Sequence, residues 1–298
     1  MIPFLTQRLA RPTAVALFSF GLTAGVIAAP AQAQAQAQAP ARASALTLWK
    51  QGGSAFGIFV PSERAPGATD ANGKRLPPLY TDAGAKALAA NPLLDYLFLN
   101  LEGQYDAGAV KAMVAGLASQ PATSRPTLLV RIPTIEAAGV DSTRARVKEV
   151  LASGADGVVI PHVRSAAEAR IAAGFFRDAN VWSRTNPTGT VVAMLMIEDK
   201  GAVDEMSDIA AIPGYSLLSC GIGSLTQALG GREKAGDAEA ACQQVRDVSE
   251  KAGMPSMMTA NDKTLGDRIT RGYRGLLLMG NNTQTDDLIR SGRALVKR

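Results

Sequence analysis

Glu198 closes an uninterrupted apolar run, Val191-Val192-Ala193-Met194-Leu195-Met196-Ile197. Three other runs end the same way. Leu97-Phe98-Leu99-Asn100-Leu101 leads to Glu102, Leu128-Leu129-Val130 to Arg131, and Val158-Val159-Ile160-Pro161 to His162. A carboxylate can bind a divalent cation through oxygen. A guanidinium matches a carboxylate or keto acid in bidentate fashion and would stabilise an enolate. An imidazole can move protons. Each residue also has a plainer reading. Glu198 could cap the next helix or pair with Lys200. Arg131 could pair with Glu102 on the neighbouring strand, and both of its roles could hold at once. Glu102 could be a base, or an acceptor behind the reacting groups. His162 is the only histidine, and a lone histidine is more often structural; its place after Ile160-Pro161 at a strand end argues for chemistry. Gly221-Ile222-Gly223-Ser224 resembles a tight strand-to-helix turn whose amides could hold an anion, which makes Gly223 and Ser224 candidate substrate-binding residues. Asn281-Asn282-Thr283 could bind phosphate or carboxylate, or simply start a helix.

Runs that are apolar throughout read as strands covered on both faces, as in a parallel α/β sheet. Eight such strands are predicted at 56–60, 96–101, 127–132, 157–160, 191–197, 216–221, 255–259 and 275–279. Between them fall helices at 82–90, 110–119, 142–153, 165–176, 202–211, 237–252 and 264–272, with a closing helix at 286–296. Thr81 and Ser165 are expected N-caps, and Glu168 completes a capping box with Ser165. Residues 62–80 are rich in Pro, Gly and charge and read as a long loop on the active-site side. Eight strand–helix units over about 250 residues fit a closed (β/α)8 TIM barrel better than an open sheet, within the α/β class. Val60-Pro61-Ser62-Glu63 holds no GxGxxG, and no GxxxxGK[ST] occurs. In such a barrel the polar residues at strand ends share one rim, where barrel enzymes keep their chemistry.

The chain has 298 residues, and its start accounts for the length beyond a barrel. Arg8 and Arg11 precede an apolar stretch, followed by Pro30-Ala31-Gln32-Ala33. This is the pattern of a cleaved secretory signal over residues 1–33; the alternative is a transmembrane anchor. An Ala-Gln-rich spacer at 34–44 is expected to be disordered. Residues 45–298 then form a single barrel in the periplasm or outside the cell, with no stable membrane insertion once the signal is removed. The formal charge is +5, and loss of the two leader arginines leaves about +3. With no Lys/Arg block interleaved with aromatics, a nucleic-acid partner is not expected. Cys220 and Cys242 could form a disulfide, although two buried thiols is the slightly favoured reading. No CxxC or Cys/His cluster points to structural zinc.

The order and spacing of these residues resemble the HpcH/HpaI group of class II pyruvate aldolases, related to citrate lyase β-type barrels. The resemblance covers roughly 55–295. Its carriers are Asp95-Tyr96-Leu97-Phe98-Leu99-Asn100-Leu101-Glu102, Val130-Arg131-Ile132-Pro133, the segment 150–161, Ser165-Ala166-Ala167-Glu168-Ala169, Met196-Ile197-Glu198, and the segment 214–230. It implies a phosphoenolpyruvate/pyruvate-type barrel in which a divalent metal (Mg²⁺, Mn²⁺ or Co²⁺) holds the oxygens of pyruvate. Arg131 maps to the arginine that steadies the enolate, Glu198 to a metal carboxylate, and Glu102 to the acid of the second-strand motif. The family pattern Leu-Glu-His-Gly is here Leu101-Glu102-Gly103-Gln104, without the histidine. The second metal carboxylate falls on Ser224, and a family glutamine falls on Met196. The segment between Phe176 and Val191 is also shorter than usual. Asp199 could substitute as a metal carboxylate, and His162 could replace the lost base. The expected function is an exported carbon–carbon lyase acting on a small keto-acid or hydroxy-carbonyl substrate. The alternatives are a non-catalytic barrel binding a small carboxylate or aromatic ligand, and a metal-independent lyase or hydrolase using His162. Related aldolases are oligomers, so a homo-oligomer is possible.

Overall fold

The computed structural model describes residues 43–121 and 124–296. The expected signal at 1–33 and residues 34–42 of the expected spacer lie outside the described residues. Strands β1 (Ala55–Phe59), β2 (Tyr96–Asn100), β3 (Thr127–Arg131), β4 (Gly157–Ile160), β5 (Val192–Ile197), β6 (Leu217–Cys220), β7 (Ser256–Thr259) and β8 (Gly275–Leu278) are all parallel. They run in chain order round a closed barrel, with β8 paired to β1. The helices are α1 (Ala45–Lys50), α2 (Asp82–Ala90), α3 (Ala107–Leu117), α4 (Ile135–Ala138), α5 (Val140–Ala152) and α6 (Ala166–Gly174). They continue with α7 (Lys200–Asp204), α8 (Met206–Ala211), α9 (Ile222–Ala228), α10 (Ala235–Lys251), α11 (Leu265–Thr270) and α12 (Thr283–Leu295). This is the (β/α)8 TIM barrel the strand pattern predicts.

The continuous apolar runs follow from two buried faces. In β5, Val192, Met194 and Met196 point into the barrel, where they meet Phe98, Leu129, Val159, Leu217, Met257 and Leu277. The alternate residues Ala193, Leu195 and Ile197 belong to the layer between strands and helices. Successive side chains of a strand point to opposite faces, so burial of both leaves no polar position until the strand ends. That is why Glu198 stands directly after six buried residues.

The caps follow the sequence with one change. Thr81 accepts from Gly84 N at 3.1 Å, and Ser165 accepts from Glu168 N at 3.2 Å. The Glu168 carboxylate accepts from Arg164 N at 2.8 Å and pairs with the Arg164 guanidinium, so the capping box is only half made. Asn282 accepts from Thr285 N at 3.0 Å and starts α12, which is the plainer reading of the Asn281-Asn282-Thr283 motif. The helix predicted at 202–211 is two helices, breaking at Glu205, whose carboxylate leaves to accept from Ala166 N at 2.7 Å.

Two features depart from the favoured sequence reading. Helix α1 covers the N-terminal floor of the barrel, with Trp49 buried against Tyr96 and its Nε1 donating to Arg274 O at 2.9 Å. Cys220 and Cys242 form a disulfide, with Cα atoms 5.4 Å apart, which overturns the preference for two thiols. The barrel packs α10 on the strand that ends in Cys220, so residues 22 apart in sequence become neighbours. Closing a loop of that length stabilises the fold by about 3 kcal/mol in the chain-entropy account. Among the described residues, no helix is long and apolar enough to cross a membrane.

Candidate active site

Three adjacent strands bring Arg131 between two carboxylates. Asn100 pairs in register with Arg131, the last residue of β3, and Glu102 follows two residues after Asn100. Glu198 follows β5 directly. Arg131 Nη2 lies 2.7 Å from Glu102 Oε2 and 3.0 Å from Glu198 Oε2. Glu198 is 1% exposed and Arg131 8% exposed. The pairing with Glu102, the plainer reading of Arg131, therefore coexists with a contact to Glu198. Charges this deep in the protein persist only when paired, because each has lost on the order of several kcal/mol of hydration. Arg131 Nε is buried and has no protein partner among the described residues. Lys200, weighed as a partner of Glu198, pairs instead with Asp204.

His162 reaches the same place by an unusual backbone. With φ +48° it is the one non-glycine residue with positive φ among the described residues. Such a conformation costs on the order of 1–3 kcal/mol and persists only where the surroundings impose it. Here two contacts do so. His162 N donates to Glu198 Oε2 at 3.2 Å, and Nδ1 lies 3.0 Å from Asp199 Oδ2. A carboxylate acceptor at Nδ1 fixes the proton there. Nε2 then faces the other way, 3.4 Å from Glu102 Oε1 and 3.6 Å from Glu198 Oε2. Asp199, expected as a substitute metal carboxylate, is turned to the histidine instead.

The cluster gathers three carboxylates around one guanidinium. Glu102, Glu198 and Asp199 carry three negative charges against one fixed positive charge on Arg131. Glu102, His162 and Glu198 also each direct a ligand atom to one region, all within 4.8 Å of one another. The two carboxylates offer hard oxygens that suit Mg²⁺ or a first-row divalent metal, with the imidazole nitrogen beside them. The donor set therefore fits such an ion.

A cavity of about 160 Å³ opens beside Glu198. Arg131, Glu198, Gly223 and Ser224 line its polar part, and Phe98 and Met257 are among its apolar walls. Gly221 is needed here for close approach. A Cβ on it would fall 1.8 Å from Glu198 Oε1. Gly221 N donates to Ile197 O at 3.3 Å, so that amide is already used and is not free for an anion. Gly223 and Ser224 lie in the first turn of α9, a helix that a sequence reading of a turn does not anticipate.

All the candidates Glu102, Arg131, His162, Glu198, Gly223 and Ser224 thus stand at the C-terminal rim, where barrel chemistry resides. Sequence reasoning missed the role of Gly221 and the Asp199–His162 contact. Glycine directly after a buried strand was the available signal for the first.

A family model described as HpcH/HpaI aldolase/citrate lyase matches residues 87–272. The hydroxypyruvate/pyruvate aldolase of Paraburkholderia phytofirmans is 30% identical over 209 residues, 62% of this chain and 76% of that protein. An HpcH/HpaI aldolase/citrate lyase family protein from Burkholderia cenocepacia superposes with a TM-score of 0.59 at 21% identity, covering 83% of this chain and 96% of its own. The HpcH/HpaI aldolase of Desulfitobacterium hafniense gives 0.59 at 20% identity, over 83% of this chain and 93% of that one. The structural likenesses concern the barrel alone, which hosts many chemistries. The family match runs from α2 past α11 and takes in every rim residue described above, so this chain belongs to the HpcH/HpaI aldolase/citrate lyase family.

Proposed function

We propose that this protein is an exported carbon–carbon lyase that acts on a small 2-keto acid, or a related hydroxy-carbonyl compound, through an enolate. The observation that carries this reading is the Arg131 guanidinium held between Glu102 and Glu198 at a rim cavity of about 160 Å³. An enolate concentrates negative charge on oxygen, and a fixed, water-excluded cation stabilises that charge with no reorganisation. Ser224 offers a hydroxyl on the cavity wall, and the apolar side of the cavity suits a methyl group or short alkyl chain. His162 takes and returns the proton at Nε2, oriented by Asp199 at Nδ1 as a carboxylate orients the histidine of other acid–base pairs.

A divalent metal (Mg²⁺, Mn²⁺ or Co²⁺) would be held by Glu198 and Glu102, with His162 Nε2 beside it. Bound there, it would act as a Lewis acid toward the keto-acid oxygens. Export is supported by the leader pattern around Arg8 and Arg11 and accords with a disulfide, which persists in oxidising compartments. The loop at 62–80 follows β1 on the rim side and would shape access.

The test is hydrogen–deuterium exchange at the pyruvate methyl group, with each metal and after chelation. Metal-dependent exchange supports the proposal. Exchange that survives chelation but is lost in His162→Ala favours a metal-free lyase, a second reading that rests on the Asp199–His162 contact. No exchange under any condition removes the pyruvate enolate reading. Asp199→Asn keeps the shape but loses the charge that orients His162. We expect its exchange rate to fall about 10–100-fold, the usual effect of losing a partner behind a ligand or base. An unchanged rate would show that Asp199 has no part in the chemistry.

A further inference from the structure

The catalytic rim is not the only built cavity. At the opposite, N-terminal end of the barrel, a cavity of about 280 Å³ lies among α1, the end of α10 and the starts of β7 and β8. That is near the lower end of the roughly 300–1,000 Å³ typical of small-molecule sites. Its walls include Trp49, Trp182, Lys50, Arg246, Arg274 and Ser256.

Two buried donors in these walls have no protein partner among the described residues. Ser256 is 3% exposed and its Oγ is unsatisfied, and Arg246 Nε is likewise buried and unsatisfied. A buried polar atom left unpaired costs about 1–3 kcal/mol, and both of these atoms lie behind the cavity wall and not on its open surface. The other donors of Arg246 are committed to Glu250 and Asp247. Lys50 and Arg274 make no ion pair among the described residues. Arg246 is balanced by Glu250 and Asp247, so the unbalanced positive charge of the wall is that of Lys50 and Arg274. The two guanidinium heads lie at positive-φ glycines. A Cβ on Gly52 would come 3.0 Å from Arg274 Nη1, and one on Gly272 would come 3.3 Å from Arg246 Nη1. Glycine at these positions keeps the space beside both heads free.

An excess of positive charge selects an anion, and two indoles beside it select a flat apolar body. We propose that this floor cavity is a second binding site, separate from the catalytic rim, for a small aromatic carboxylate of the benzoate type. The carboxylate would meet Arg274 and Lys50, and the ring would lie against the indoles.

The chain itself provides the readout. Trp49 and Trp182 are its only two tryptophans, and both line this cavity. Tryptophan emission of the full chain is therefore titrated with benzoate at constant ionic strength, with acetate and inorganic phosphate as ringless controls. The expected result is a saturable change with benzoate, at least about tenfold weaker affinity for acetate and phosphate, and at least about tenfold weaker benzoate binding in Arg274→Ala, the scale of one lost charge-assisted hydrogen bond. Ser224→Ala, at the rim, should leave the titration unchanged. Thermal melting of Arg274→Ala alongside the wild type identifies a variant that has merely unfolded, and Lys50→Ala then serves in its place. The proposal is overturned by an absence of saturable change in the wild type. It is equally overturned by equal affinity for acetate, or by a response that follows Ser224 and not Arg274 or Lys50.

Discussion

Arg131→Ala should lower the rate of pyruvate methyl exchange by at least about 10²–10³-fold, the loss that follows removal of one donor from a developing oxyanion. The same change should lower stability, because Glu198 is 1% exposed and would be left without its cation. Breaking a buried pair from one side costs about 3–5 kcal/mol. For a domain of this size that is a fall in Tm of roughly 6–20 °C. Lost exchange in Arg131→Ala could then reflect unfolding, and Arg131→Lys separates the two effects. Lysine keeps a positive charge near Glu198 but cannot bridge two carboxylates and present a further donor in one plane. Its Tm should stay near that of the wild type while its exchange rate drops steeply. Wild-type exchange in the lysine variant would end the role assigned to the guanidinium.

Gly221→Ala should be nearly as damaging, though it removes no functional group. Gly221 has φ −86°, a conformation that alanine adopts freely, so the backbone has no reason to object. The obstacle is the carboxylate, since the new Cβ would lie 1.8 Å from Glu198 Oε1. Glu198 is held from its other side by Arg131 Nη2 and His162 N, so it must shift by an ångström or more and loosen both contacts. A displacement of that size in a reacting group costs on the order of 10²-fold in rate. Exchange kinetics and metal affinity should fall together, with a smaller change in Tm than in Arg131→Ala. Undiminished exchange would mean that the position of Glu198 is not tightly set.

The strands were legible because the physics that forms them leaves a simple trace. Both faces of a barrel strand are buried, so 157–160 and 192–197 are apolar from end to end, and their limits in the structure match the runs to within a residue. The meeting of Arg131, Glu102, Glu198 and His162 was legible for the same reason, since parallel strands put all their C-terminal ends on one rim. Helices α1 and α9 were not. Each is shorter than two full turns, and α1 exists because Trp49 fills the barrel floor, a tertiary contact with no local periodicity. The glycines at 221 and 223 disguised α9 as a turn. The Asp199–His162 contact joins residues 37 apart and depends on a left-handed backbone at His162, which histidine does not advertise. The disulfide required knowing that α10 lies on β6, a distance that cysteine spacing alone does not contain.

Covalently, the stretch from Cys220 to Cys242 is a closed ring set into an otherwise linear chain. The cavity wall formed by Gly223 and Ser224 lies on that ring, and so does the exposed turn through Gly230 and Arg232. A backbone break in that turn would open the ring without parting the molecule. The rim wall would stay fastened to β6 by its own peptide bonds, and α10 would stay fastened to the rim through sulfur. This stretch could therefore be cut, or given new chain ends, and the protein would still travel as one piece for as long as its surroundings remain oxidising.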